Sequence, residues 1–406
     1  MTHAPLSHAE WLETDGLGGF AMGTVSGART RRYHGLLVSA LTPPSGRVVL
    51  VSGFDAWLET PAGRFALSTQ CYRGDVRYPD GESRLDTFLW EPWPTWRWRL
   101  PDGTCVEQEL FMPHGCSAVC LRWTVIAGTA ARLLIRPLLA ARDYHCLQHE
   151  TSDFRCEAEI TSITEVTSAG RREESRVAWR PYERLPAIVS WSNGGYQHEP
   201  AWYRQFLYSH EAERGLDCLE DLASPGVLSW DLSHPLSARA GYTQDAVWLL
   251  SPKTHEGAAR STCDQPLTAI VQSLREREKQ RRGQFPNWCD RSADQFIVRR
   301  GSGQTIIAGY PWFTDWGRDT FIALRGLCLA TGRLDVAESI LLAWAGTVSE
   351  GMLPNRFPDH GESPEFNSVD ASLWFVIAVQ EFLAVATQAS GGRRPPDDHD
   401  VHSTFV

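Results

Sequence analysis

What this sequence lacks narrows it first. No apolar run approaches the roughly 18 residues a membrane helix needs; the densest stretch, Ala371 to Val379, is short and carries Ser372. Met1 to Glu10 shows no basic start followed by an apolar stretch, so no secretory leader is expected and the cytoplasm is the default compartment. Long Lys/Arg blocks are missing, and 39 basic against 49 acidic side chains give a formal net charge of −10. Phosphate backbones are bound by basic surface, so this balance argues against nucleic acid and points to an uncharged or cationic ligand. The ten cysteines are scattered, and the closest pair, Cys116 and Cys120, lacks the second pair of a structural zinc site. They read as reduced and mostly buried. Neither Gly-x-Ser-x-Gly, nor a phosphate loop ending in Gly-Lys-Ser/Thr, nor a legible Ser-His-Asp set occurs.

Tryptophan is what the chain has in excess, 17 in 406 residues, many beside Pro, Gly or charged residues. Large aromatics dominate the packing of big β cores, and flat indoles also stack on sugar rings. For any single Trp, core filling is the stronger expectation.

From Leu12 to about Ser251 short apolar or alternating runs are separated by turn residues: Val48–Val51, Phe88–Leu100, Ala118–Ile126, Arg132–Leu139, Ala187–Trp191 and Ala246–Leu250. Strands are the economical reading, with large side chains on alternate positions around Trp96 and Trp98 and a Pro101-Asp102-Gly103 turn after them. Together these runs predict a large antiparallel β-sandwich over residues 1–263. The texture then changes. Asp264 and Pro266 open a linker helix within 264–290, with Leu267, Ile270, Val271 and Leu274 at helical spacing; its charged end, Arg275 to Arg282, reads as a solvated face. Over 291–389 three helices are expected, at Arg318–Ala330, Leu334–Ala345 and Ala371–Thr387, each with an apolar face. The tail, 390–406, has almost nothing to bury and is expected to be disordered.

Three constellations could carry chemistry. The first, Ala308 to Thr320, packs Tyr310, Trp312, Phe313 and Trp316 with Asp315, Arg318 and Asp319 at a helix start. Adjacent Arg and Asp can bond sugar hydroxyls as donor and acceptor while aromatics cover the ring; Asp315 or Asp319 could equally cap the helix. The second holds Asn355, Glu362, Glu365, Asn367, Ser368 and Asp370 before Trp374 and Phe375. Packing against those rings would desolvate Asp370 and favour a proton on it, as a general acid requires; capping is the competing role. The third, Asp15-Gly16-Leu17-Gly18-Gly19-Phe20 with Arg31-Arg32-Tyr33-His34-Gly35, reads as a β-hairpin with tight glycine turns, and His34 as a structural histidine.

At these residues the chain resembles the bacterial and archaeal type of glycogen debranching enzyme, the amylo-α-1,6-glucosidase family. The likeness runs to about Ala389 and is most specific in GLGGFAMGTVSGARTRRYHGLL, ERGLDCLEDLASPG, DQFIVRR, AGYPWFTDWGRDTFIALRGL and NSVDASLWF. The resemblance implies a multidomain β-then-α chain: an N-terminal antiparallel β-sandwich followed by a partial (α/α)₆ barrel. It implies inverting hydrolysis of α-1,6 branch linkages in glycogen or branched α-glucan oligosaccharides, with no cofactor, metal, nucleic acid or membrane involved. By resemblance Arg318 and Asp319 hold the non-reducing-end sugar and Asp370 is the general acid; Trp312, Phe313 and Trp316 form apolar walls, and Asn355 and Asn367 contact hydroxyls. By the resemblance the family's catalytic base falls beyond the last helix, leaving Asp359, Glu362 and Glu365 as the nearby carboxylates and the chain as a barrel truncated within its catalytic part. The other readings are a different (α/α)₆ sugar hydrolase or phosphorylase, and a glucan-binding protein without catalysis.

Overall fold

The computed structural model describes residues 8–128, 131–167, 170–232, 245–260, 265–356, 366 and 368–389. The chain divides into two compact units, one of Met1–Asp15, Gly19–Ser39 and Val48–Arg282, the other of Gly16–Gly18, Ala40–Arg47 and Gly283–Val406.

Two large antiparallel sheets build the first unit. One is ordered Glu10–Thr14, Phe20–Thr24, Gly35–Thr42, Ser45–Thr60, Arg132–Asp143, Leu219–Asp231, Gly195–Leu207, Thr69–Tyr72 and Val76–Asp80, with Gly63–Ala66 added on Ser45–Thr60. The other is ordered Ala158–Thr167, Gly170–Trp179, Ile188–Ser192, Ala246–Pro252, Val119–Ala127, Cys105–Phe111, Thr95–Arg99 and Leu85–Leu89. A continuous core lies between them, where Leu36, Leu50 and Leu58 of one sheet meet Trp96, Trp98, Trp123 and Trp248 of the other. Alternation sets which side chains enter it: in Thr95–Arg99, Trp96 and Trp98 are buried while Arg97 and Arg99 face water. Ten of the seventeen tryptophans are buried, so core filling accounts for most of the excess.

Phe88 to Leu100, expected as one run, is two strands that pair antiparallel, Leu89 opposite Thr95. Pro92 and Pro94 have no N–H to donate to a ladder, so the chain turns there. Ala246–Pro252 is buried at every position, because a second apolar layer covers the sheet's outer face. That layer is the helix Leu267–Arg282, whose Leu267, Val271 and Leu274 pack with Trp93, Phe111, Trp191 and Leu249. Its charged end is solvated on one side, where Glu276, Arg277, Lys279 and Gln280 are exposed, and packed on the other. Glu278 is 3% exposed and bonds Arg281 at 2.8 Å and Arg282 at 2.7 Å, and Arg282 reaches Glu13 at 2.5 Å. Arg275 and Arg282 sit on the flank that meets the sheet's acidic side chains, Arg275 bonding Glu109 at 2.7 Å.

The second unit contains the short helix Trp288–Asp294, capped by Asn287, and the hairpin Ile297–Arg300 with Gly303–Ile306. Three longer helical stretches follow. Gly317–Leu324 widens into a π turn at Arg325–Leu329 before Leu334–Ala345 and Val369–Ala389. Ile297, Phe321, Leu324, Ile340, Trp344 and Phe382 form its core. Val369–Ala389 corrects an expectation: at 21 residues, with an 18-residue window of mean hydropathy 1.6, it is long and apolar enough to cross a membrane by length and composition. Ser372, Gln380 and Glu381 interrupt its apolar runs without lowering the mean much. It packs on the second unit's core along one face only, burying Ala371, Ala378, Val379 and Phe382. Among the described residues nine cysteines are free and four of these are buried, fewer than expected. The tail expected to be disordered lies outside the described residues.

Candidate functional site

The aromatic and charged segment from Ala308 to Thr320 is a tight loop entering the helix Gly317–Leu324. Ala308 N–H donates to Thr314 O and Phe313 N–H to Gly309 O, each at 2.8 Å. Arg47, fully buried, donates to Phe313 O at 2.9 Å and Gly18 O at 2.8 Å and lies 5.0 Å over the Tyr310 ring. Asp315, also fully buried, forms an ion pair with Arg300. The loop therefore gets its shape from two guanidinium groups, Arg47 buried and Arg300 partly so, and nothing in the spacing of either marked it as a neighbour. DQFIVRR held the only hint, since a second Arg after an apolar pair must find an anion if it is buried.

Neither Asp315 nor Asp319 caps the helix by a side-chain bond from the N-cap position, which is Trp316. The cap comes from Asn355, whose backbone O accepts from Gly317 N–H at 2.9 Å and whose Oδ1 accepts from Arg318 N–H at 3.3 Å. Expected as a sugar contact, Asn355 is 5% exposed and spends that oxygen on the helix. Leu353 N–H donates to Ser372 Oγ at 2.9 Å, which ties the same stretch to the helix Val369–Ala389.

The two expected loop regions meet. Arg318 Nη1 lies 3.1 Å from Asp370 Oδ2, and both side chains are nearly half exposed, at 47% and 43%. Phe313, 49% exposed, and part-buried Trp316 stand edge to face with centroids 6.1 Å apart, and the Arg356 guanidinium lies 5.5 Å from the Trp316 ring centre. Trp312 is part-buried, as is Asp319, which makes no ion pair among the described residues. Asn367, Asp359, Glu362 and Glu365 lie outside the described residues.

The electrostatics differ from those expected of Asp370. Hydrogen bonds from Ser368 and then Arg318 hold its carboxyl below the ordinary aspartate range, and burial hardly opposes them. The cause is position: Val369–Ala389 begins one residue earlier, so Asp370 sits in the first turn. There the helix dipole favours a charge, and Trp374 and Phe375 pack inward instead of over the carboxyl. Chemically this is an ion pair at a partly exposed aromatic surface, able to present donors and acceptors to a polyhydroxylated ligand. Among the described residues no group of three His, Cys, Asp or Glu is placed to hold a metal.

The glycine-rich opening is structural. Glu10–Thr14 and Phe20–Thr24 form the expected hairpin, and Asp15 Oδ1 accepts from Gly19 N–H at 3.0 Å across its turn. Gly18 has φ +94°, and a Cβ there would come 2.6 Å from Pro44 O, so only glycine fits. His34 is fully buried; its Nδ1 accepts from Thr30 N–H at 3.1 Å, which leaves Nε2–H to donate to Glu10 at 3.0 Å. Burial lowers its pKa, so it is a neutral structural histidine. Glu220, inside the second quoted motif, is fully buried and paired with Arg142 and Tyr208.

Comparison with known families agrees with the motifs. Residues 9–238 match the glycogen debranching enzyme N-terminal family, and residues 291–392 match the amylo-alpha-1,6-glucosidase family. The glycogen debranching enzyme of Saccharomyces cerevisiae is 42% identical over 86 residues, a stretch covering 20% of this chain and only 6% of the yeast protein. A bacterial glucoamylase solved with acarbose overlaps 95% of this chain and 55% of its own at 9% identity and a TM-score of 0.44.

Proposed function

The chain belongs to the glycogen debranching enzyme (amylo-α-1,6-glucosidase) family, its N-terminal region alone matching over residues 9–238 of 406, and from that premise we propose that its chemistry is hydrolysis of α-1,6-glucosidic branch linkages. The observation supporting this is the approach of Arg318 to Asp370 beside Phe313 and Trp316, which joins a sugar-gripping pair, an aromatic wall and a carboxylic acid in one place. On this reading the terminal glucose lies over Trp316 and Phe313, with Trp312 completing the wall. Arg318 and Asp319 bond its hydroxyls, and Asn367 adds a further contact. The second unit is then the first part of an (α/α)₆ barrel.

Proton transfer needs the ion pair to open. With Arg318 turned to the sugar, Asp370 loses the partner that favours its charge, and the bound ring excludes water; both raise its pKa toward that of a general acid. Inversion requires a second carboxylate roughly 6.5–9.5 Å away to activate water from the opposite face. Asp359, Glu362 and Glu365 are the near candidates in this chain.

Incubation with phosphorylase-limit dextrin tests the proposal. Expected is release of free glucose from branched but not linear glucan, as the α-anomer's inverted partner in the first minutes by NMR, with Asp370→Asn slowing it by about 10²–10⁴-fold. Binding of glucan without hydrolysis, unchanged in Asp370→Asn, would instead identify a glucan-binding protein, a reading favoured by the paired, ionised state of Asp370. Dependence on added phosphate would identify a phosphorylase.

A further inference from the structure

The first unit holds a cavity of about 90 Å³ walled by Trp11, Trp96, Trp98 and Phe54. Arg29 is its one ionisable lining residue. This side chain is 7% exposed, yet it makes no hydrogen bond or ion pair among the described residues, and its Nε and Nη2 are buried with no acceptor. Its guanidinium lies 5.0 Å over the Phe206 ring, with Nη1 against Gly53, where a Cβ would intrude to 2.3 Å. The glycine makes the room. Two further lining residues, Ser52 and Gln70, are 2% exposed, and Ser52 Oγ and Gln70 Oε1 are buried without partners. Gln70 Nε2 donates to Phe54 O and Asp55, which fixes Oε1 as an acceptor. Asp55, also buried, bonds Ser68 and Gln70 and is the carboxylate whose charge Arg29 faces without a hydrogen bond to it.

A buried cation without an acceptor is strongly unfavourable, and native structures seldom keep one unexplained. We propose that the cavity binds one phosphate-class oxyanion, inorganic phosphate or the head of a phosphate monoester, held by Arg29, Ser52 and Gln70. At about 90 Å³, against the roughly 10–15 Å³ that one water requires on the same measure, the cavity has room for a single tetrahedral ion. Arg29 supplies charge-assisted donors, Ser52 a hydroxyl donor, and Gln70 Oε1 accepts from a P–OH group. Monohydrogen phosphate offers both acceptors and that donor, whereas sulfate at neutral pH offers acceptors alone. The indole walls lower the local dielectric and so strengthen each of these bonds.

Calorimetric titration of the full chain in phosphate-free buffer tests this independently of any hydrolysis. Expected is saturable phosphate binding about tenfold tighter than sulfate, weakened by about tenfold or more in Arg29→Met and several-fold in Ser52→Ala. Phosphate should raise the melting temperature of the wild type and not that of Arg29→Met, whose own melting temperature without phosphate should equal or exceed the wild type's, since an unpaired charge is gone. Should Arg29→Met fail to fold, Ser52→Ala decides on the same criterion. Absence of saturable binding, equal affinity for sulfate, or binding unchanged by the variants overturns the proposal. Glycerol 2-phosphate distinguishes the sources: binding as tight as phosphate identifies a monoester head, and exclusion identifies the free anion.

Discussion

At Asp370 the charge state is decided by two neighbours rather than by the apolar helix that follows. Removing them should therefore be visible directly. In a carbon-13 titration of the side-chain carboxyl, Asp370 is expected below the ordinary aspartate range in the wild type and to move up in Arg318→Gln and in Ser368→Ala. An unmoved titration would mean that neither bond forms. A second residue-scale outcome concerns Glu278, held at about 2 against an ordinary 4.5. Burial works to raise it and is outweighed by Arg281 and Arg282. As pH falls through about 4.5 the unfolded chain takes up a proton that the folded chain refuses until about 2. The stabilisation is thus complete above that window and lost through it. Urea midpoints should drop between those pH values, less steeply in Glu278→Gln.

Elements depend on side chains far away in sequence, and this is where reading the sequence alone runs out. The hairpin after Asp15 was legible because glycine positions and turn geometry are local, and so was the strand around Trp96, because alternation is local. The positions of the longer helices were legible for the same reason, Leu334–Ala345 among them. The cap on Gly317–Leu324 was not, since Asn355 comes from 37 positions beyond Arg318. Arg47, which shapes the aromatic loop, stands 266 residues before Phe313. Of the site residues, Arg318 and Asp370 do meet, but the apolar texture after Asp370 misdirected the reading of its environment, because period alone does not say which way the first turn points. Asn355→Ala should cost about 1 kcal/mol in the melting of the second unit. Leu274→Ala, which opens the layer between the outer helix and the sheet, should cost about 2–5 kcal/mol in the first.

At the scale of the whole molecule the least settled surface is one face of Val369–Ala389, where Val369, Leu373 and Val376 are 67%, 59% and 63% exposed. Contiguous apolar exposure favours association. Light scattering of the purified chain should rise with concentration, and Val376→Lys should reduce it without lowering the melting temperature; equal scattering would show that this face is not responsible.

The distribution of indoles has a practical corollary. Nine of the ten buried tryptophans belong to the sheets of the first unit or the layer on them, and Trp344 alone to the helical core. Trp96 and Trp98 are stacked with centroids 6.4 Å apart, near enough for their optical transitions to mix. Emission and near-ultraviolet dichroism consequently follow the melting of one half of the chain, while the 222 nm signal weights the other. Recorded together during a thermal ramp, the two traces would reveal whether a single cooperative event or two separate ones dismantle the protein.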